Sequence, residues 1–394
     1  MINQLYTNFI KLTSMKKILL LAAVLVSSLV ANAKVWRINP NEAARADFLN
    51  VTDATAAAKV NRGDTLYCEP GSYQGIQYVN KPALTIIGPG WEIPTNFGST
   101  STIAAASFSE QLRINTDSIS ITGLSVTYIY VAAVKHTTIE RCMLGHISGA
   151  ESWGDYISNL YIRNNFFTSN LGGTNTSIHF LGPGSILNVS IENNIFASYV
   201  DDGYYGFAKN IEIYASEHLN TSGLIAHNTF VGHYRETNNP IRMYYATIRD
   251  NIIINTSTYR QGTEPLPNES HWFLYSQVGT CEVYNNVFSC VEENVDADIL
   301  SFFPNNHFIG ATLGNTFTRT IENNAAETAF RLKEGSAAAN KAYQGEDCGA
   351  YAGAWPFVVC GRPRGVPYIY DVTAPNYPEN DILNISFKVK ANNQ

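Results

Sequence analysis

The sequence predicts an all-β chain wound as a parallel β-helix, a solenoid with one coil per repeat. Three observations predict it. Charged residues are only 15% of the chain against a typical quarter. Asn, Ser, Thr, Gly and 42 Tyr and Phe together replace them, a mixture suited to strands and turns. A short motif also recurs: a β-branched residue, two variable residues, Asn, then one or two apolar residues. Its copies start at Ile162, Ile191, Ile225, Ile248, Val283 and Ile321, and place Asn165, Asn194, Asn228, Asn251, Asn286 and Asn324 in equivalent positions. Degenerate copies, Ile121…Leu124 and Ile139…Cys142, precede them.

The motif is constant while its spacers vary, which is the mark of a stacked architecture. Each copy is a short β segment that cannot bury a face alone. Stacking copies about 4.8 Å apart buries one apolar column and pairs every backbone group. The Asn side chains then stand above one another as a hydrogen-bonded ladder, and Asn tolerates the left-handed backbone of a sharp turn. A β-propeller needs more regular four-strand blades, and a sandwich has no use for an Asn register. A second series, Ile178-His179-Phe180, Ile211-Glu212-Ile213 and Ile241-Arg242-Met243, fits the same coils, with Trp272-Phe273-Leu274 as its next member. Alternation turns its apolar residues inward and His179, Glu212 and Arg242 outward.

The ends are legible too. Met15-Lys16-Lys17, the 13-residue run Ile18 to Val30 (apolar apart from Ser27 and Ser28) and Ala31-Asn32-Ala33 read as a secretory signal over residues 1–33, with 1–14 an upstream extension. The run is shorter than the ~20 residues a membrane span requires. A mature chain from Lys34, secreted or periplasmic, is expected. It carries 23 basic and 33 acidic residues, net −10, with no basic stripe, which excludes nucleic acid as a natural partner. An Ala-rich segment from Asn41 to Val60, with Asp53 as N-cap, predicts a helix over the first open end. The β-helix with this cap is expected over 34–330, and a C-terminal cap or tail over 331–394, with a final strand within Ile382 to Lys390. The six cysteines are dispersed: either buried small hydrophobes or, for Cys348 with Cys360 and Cys281 with Cys290, disulfides.

The helix, the segment Gly63-Asp64-Thr65…Pro70-Gly71-Ser72-Tyr73, the strand Leu84-Thr85-Ile86-Ile87-Gly88 and the Ile-x-Asn-Asn-x-Phe coils resemble secreted bacterial right-handed parallel β-helix proteins of the pectin-lyase-like class, over roughly 35–330. The resemblance implies a right-handed solenoid and a polysaccharide partner. It implies no single activity, because this fold hosts lyases, hydrolases, esterases and inert scaffolds. Fragments in the order of polygalacturonase motifs occur (Asn115-Thr116-Asp117, Asp201-Asp202, Gly232-His233, Arg242), but the triplet precedes the Asp pair by 86 residues, so no roles are carried over.

Two clusters are candidate sites. Counting seven and eight residues past the ladder Asn gives Asp201 and Asp202 in one coil and Arg235 and Glu236 in the next, with His233 at position five. Paired carboxylates near His and Arg suit general acid–base catalysis or Ca²⁺. Asp201 or Asp202 is expected as acid or metal ligand, His233 as base and Arg242 as anion clamp. The outward stripe His179, Glu212 and Arg242 is the second cluster. With Arg235, Tyr234 and Tyr244 it forms the expected substrate-binding set, the tyrosines offering faces to sugar rings. The two functions carried forward are a polysaccharide lyase or hydrolase acting on acidic glycans, Ca²⁺ being its one candidate cofactor, and a non-catalytic glycan-binding or surface scaffold. A monomer is expected.

Overall fold

The computed structural model describes residues 33–91, 105–149, 156–168, 176–182, 185–197, 209–215, 221–232, 234, 240–243, 245–256, 274–275, 281–295, 297–320, 326–362, 367–373 and 386–391. Residues 1–32 of the expected signal, residues 1–33, lie outside them. No helix among the described residues is long and apolar enough to cross a membrane.

The chain winds as a right-handed parallel β-helix with three faces. The first sheet stacks ten parallel strands in chain order, from Val35–Ile38 to Glu282–Tyr284. The second sheet runs from Gly71–Tyr73 through Phe166–Thr168, Ile195–Ala197, Thr229–Gly232 and Ile252–Asn255 to Val287–Phe288 and His307–Phe308. The third runs from Gln77–Val79 through Thr176–Gly182, Lys209–Ala215 and Ile241–Met243 to Leu274–Tyr275. In the early coils a single strand serves both later faces. Met143–Gly149 pairs with Phe166–Thr168 at its start and with Thr176–Gly182 at its end. After this coil, spacers part the second face from the third, and the long spacers (169–175, 198–208, 257–273) all fall at that boundary.

The Asn ladder is present and fully buried. Asn165 Nδ2 donates to Asn194 Oδ1 at 3.0 Å, Asn194 to Asn228 at 3.0 Å, Asn228 to Asn251 at 3.0 Å and Asn251 to Asn286 at 2.8 Å. Each Oδ1 also accepts the backbone N–H of the preceding rung. Two details differ from expectation. The left-handed residue is the one before the ladder Asn: Arg141, Asn164, Asn193, His227, Asp250 and Asn285 all have positive φ. And the sixth rung is Asn306, which accepts from Asn286 Nδ2 at 2.9 Å, whereas Asn324 lies outside the described residues. Asn305-Asn306-His307-Phe308 carries the motif's second half, but Phe303 replaces its β-branched start. Leu124 and Cys142 hold the ladder position in the degenerate copies, and the ladder terminates there: Asn165 Oδ1 accepts the Cys142 N–H.

Inside the tube, Ile121, Ile139, Ile162, Ile191, Ile225, Ile248 and Val283 form one column of the first sheet. On the second, Phe167, Phe196 and Phe230 stack with ring centres 4.6–4.7 Å apart. The helix Val51–Ala56 buries Val51 and Ala54 in the core and closes the first mouth. Its threonines pair the edge strand: Thr52 Oγ1 accepts the Tyr78 N–H, and Thr55 Oγ1 donates to the Tyr78 carbonyl. Its cap is Asn50, whose side chain accepts from Asp53 N, because the helix starts three residues earlier than the expected Asp53. At the other mouth Leu300 of the helix Ala297–Phe302 and Phe303, just after it, pack on the core.

The C-terminal segment does more than follow the last coil. Residues 338–362 run back along the outside of the tube as a strap. Cys348 Sγ contacts the Asn285 carbonyl, Gly349 N donates to Asp250 O, Ala350 N to Thr229 Oγ1, and Asn193 Nδ2 to Ala350 O. Asn164 Nδ2 then reaches Trp355 O, and Trp91 N donates to Cys360 O. An antiparallel hairpin, Pro367–Thr373 with Ser386–Ala391, ends the chain. The six cysteines are free thiols. Burial pushes those of Cys142 and Cys290 up to about 12.

Candidate functional site

The third sheet places a continuous stripe of polar and aromatic side chains on its outer face. Strand register aligns Arg113, Tyr130, Ser148, His179, Glu212 and Arg242 across six successive coils. Tyr128 and His146 form a shorter column beside them. The inward neighbours, Leu112, Ile129, Ile147, Ile178, Ile211 and Ile241, are fully buried, so alternation alone turns the stripe outward.

The expected trio meets as predicted. Glu212 Oε1 accepts from Arg242 Nη1 at 3.2 Å, and its Oε2 lies 3.6 Å from His179 Nε2. The carboxylate is 4% exposed, whereas its two partners are about one-third exposed at their side chains. A buried carboxylate is retained only with such partners, and here they leave their own outer edges on the surface. Tyr275 follows Arg242 in register, and Leu274 follows Ile241, so the continuing pair is Leu274-Tyr275 rather than a strand centred on Phe273.

The stripe is longer than the trio. His146 is 8% exposed, and its ring lies 5.1 Å from that of Tyr128 and 6.0 Å from that of His179. Its Nδ1 is 2.5 Å from the Thr176 carbonyl oxygen. Burial holds its pKa below the ordinary imidazole value, with His179 acting the same way and the Thr176 contact opposing. Tyr128 Oη and Ser148 Oγ share a hydrogen bond of 2.6 Å. The Arg113 guanidinium lies 4.3 Å from the centre of the Tyr130 ring. Motif reading missed these five residues because their coils lack the ladder Asn. The signal was nevertheless present: Tyr128 and Tyr130 stand four and six residues past Leu124, and His146 and Ser148 stand four and six past Cys142.

The other expected site residues fare differently. Tyr234 is fully buried and its hydroxyl donates to Asn210 Oδ1 at 2.6 Å. Its ring packs in the core, so it offers no face to a sugar. Asp201, Asp202, His233, Arg235, Glu236 and Tyr244 lie outside the described residues. No group of three or more His, Cys, Asp or Glu side chains suited to a metal ion occurs among the described residues.

No protein-family model matches this chain, and no curated protein does. Five solved chains are similar. One is a pectate lyase from Bacillus sp. N165 crystallised with trigalacturonate; it is 13% identical, with the match covering 66% of this chain and 82% of that one at a TM-score of 0.38. No residue role is transferred from it.

Proposed function

We propose that the outer face of the third sheet binds a linear anionic polysaccharide, and that the protein is an exported β-helix that acts on it. The observation that supports this reading is the register of Arg113, Tyr130, Ser148, His179, Glu212 and Arg242 along one outer row of the third sheet. Rungs recur at about 4.8 Å, so the face presents a repeating row to a repeating ligand. Tyrosine rings suit sugar faces, and the two guanidinium groups, one near each end of the row, suit carboxylates. Asp201, Asp202, His233, Arg235 and Tyr244 are proposed to border the row, with Ca²⁺ as a candidate bridging ion. The mature chain is proposed to work as a monomer outside the inner membrane.

Titration of the purified protein with polygalacturonate, alginate and a neutral glucan, with and without Ca²⁺, tests the reading. Binding of the uronate polymers, and its loss in Arg242→Ala, is expected; equal affinity for the neutral glucan would overturn it. A second reading, a non-catalytic binding scaffold, has one observation in its favour. Both Glu212 oxygens already face cationic or hydrogen-bonding partners, as in a structural ion pair.

A further inference from the structure

We propose that the peptide bond between Ala33 and Lys34 is a processing site, and that the α-ammonium group created by its cleavage docks on the buried carboxylate of Asp64. The inference concerns the first coil and is independent of the polysaccharide reading.

Three observations carry it. First, Asp64 forms a socket beside the start of strand Val35–Ile38. The residue is 1% exposed. Its Oδ1 accepts the Lys34 backbone N–H at 2.8 Å, and its Oδ2 accepts the Trp36 Nε1–H and the Asn61 backbone N–H, each at 2.8 Å. These three donors are neutral, whereas a buried carboxylate is held best by a partner of opposite charge. The Lys34 side-chain ammonium is turned to the Trp36 ring, 3.5 Å from its centre. Second, the coil is tied from Lys34 onward. The Lys34 carbonyl accepts the Thr65 N–H at 2.8 Å, and Val35 pairs with Thr65. Trp36 and Ile38 are buried, whereas Ala33 is exposed. A cut one residue later would take Lys34 away from both Asp64 and Thr65. A cut one residue earlier would leave a neutral amide on Asp64. Third, the sequence points to the same bond by a separate route: Ala31-Asn32-Ala33 follows the apolar run, with small residues at the two positions a signal peptidase reads.

The step is a hydrolysis by a peptidase, with water as co-reactant. The bond from the Ala33 carbonyl carbon to the Lys34 nitrogen breaks. The water oxygen stays on the Ala33 carboxylate, and both water protons end on the Lys34 nitrogen, which becomes an ammonium. One of its hydrogens keeps the direction of the N–H that Asp64 Oδ1 already accepts, so the strand does not have to move. Cleavage thus turns a neutral donor on a buried carboxylate into an ion pair. The released chain holds its first coil more tightly than the chain still carrying its leader.

The charged groups around the new ammonium are Asp64, in hydrogen-bond contact, and the side chains of Lys34 and Lys59, both lying over the Trp36 ring. Burial raises the Asp64 pKa, but the hydrogen bonds from Asn61, Lys34 and Trp36 outweigh it and hold the carboxyl below its ordinary value. The socket is therefore charged at neutral pH, and it favours the charged form of the amine.

The test uses protein exported under its own leader. N-terminal sequencing should find Lys34 first. Reaction of the α-amine with an acylating reagent, followed by peptide mass spectrometry, then reads its protonation. At pH 7 the folded chain should acylate there about tenfold more slowly than the urea-denatured chain, whose amine has the ordinary pKa of about 7.7–8.0. Asp64→Asn should restore the fast reaction. A chain that starts at Ala33 keeps Asp64 and the fold, and its amine should react at the ordinary rate. It should also melt lower than the Lys34 chain at pH 7. An amine with a raised pKa contributes stability that is complete below its ordinary value and is lost as pH rises through the raised one, so the two melting curves should converge at alkaline pH. A mature chain beginning at any other residue overturns the proposal. So does a Lys34 amine that acylates equally fast folded and denatured, or one that stays slow in folded Asp64→Asn. If Asp64→Asn does not fold, the Ala33 chain decides: equal melting at pH 7 overturns the ion pair, and a gap that closes at alkaline pH supports it.

Discussion

On the second sheet the outward residues of five consecutive coils are Phe166, Ile195, Thr229, Ile252 and Val287; on the third, a five-coil run that starts two coils earlier is Tyr130, Ser148, His179, Glu212 and Arg242. Three coils carry both rows, setting Phe166 with His179, Ile195 with Glu212 and Thr229 with Arg242, and each row keeps its own stacking register. The second row is covered: Phe166 and Ile195 pack with Trp91, Ala350 and Phe357, and Ile252 and Val287 with Phe317, Ala338 and Cys348. The third row is polar and close-set, with its two outer partners of Glu212 still reaching the surface. One outer face of this β-helix is therefore sealed by the strap while another keeps a polar row, and the chemistry of the outward residues tells them apart.

Substitutions can break or sharpen this contrast. The largest effect is expected at the ladder, beside the strap. Asn228→Ala removes three donor contacts shared by two N–H hydrogens (to Ile191 O, Ala226 O and Asn251 Oδ1) and the two bonds accepted from Asn194. At about 1 kcal/mol each, the loss is about 4–5 kcal/mol in denaturant unfolding. Ile252→Ala, which leaves a hole between tube and strap, should cost about 3 kcal/mol in the same assay. Gly353→Ala should cost about 1–3 kcal/mol, since φ is +74° and a Cβ would lie 2.7 Å from the His227 ring. On the third face, Glu212→Gln removes a buried charge but keeps the side chain's shape and an acceptor, so it should change stability by about 1 kcal/mol while weakening polyuronate binding, because its two partners are one-third exposed and can turn to water. A Glu212→Gln protein that unfolds would erase the distinction between the faces.

Acidity gives a further test. Burial lowers the pKa of His146, His227 and His307. A depressed imidazole binds its proton more readily in the unfolded chain, so stability falls as pH drops below the ordinary value of about 6.5. His227 faces Asp250 and Arg249 on the tube, Glu192 on the neighbouring coil and Glu346 on the strap. Melting temperature followed from pH 7 to 5 should fall, and His227→Gln should flatten that fall. The smallest effect is expected at Glu327, whose carboxyl is fully buried and whose pKa is raised by burial. Its charged form is disfavoured in the fold, so stability declines as pH rises above the ordinary carboxyl range. Glu327→Gln keeps an acceptor for Cys360 N and should be neutral to slightly stabilising at pH 7.

Local chemistry fixed much of this. The Asn motif specified coils, register and the inward columns, because a buried amide that both donates and accepts tolerates no slip. It also announced the stripe: with Ile178, Ile211 and Ile241 inside, His179, Glu212 and Arg242 had to face outward and align. The doubled apolar positions, Phe166-Phe167 and Ile195-Phe196, likewise signalled a strand covered on both sides, though nothing local said by what. Only tertiary structure decided that residues 338–362 fold back over that face, since the contacts join positions up to 221 apart. It also decided that Tyr234 turns into the core while His146 and Tyr128, from coils with no Asn, join the stripe. The physical reason is the same in each case. A side chain's face follows from strand alternation, which the sequence carries, but its neighbours follow from how spacers of unequal length bring coils into register, and that exists only in the wound tube.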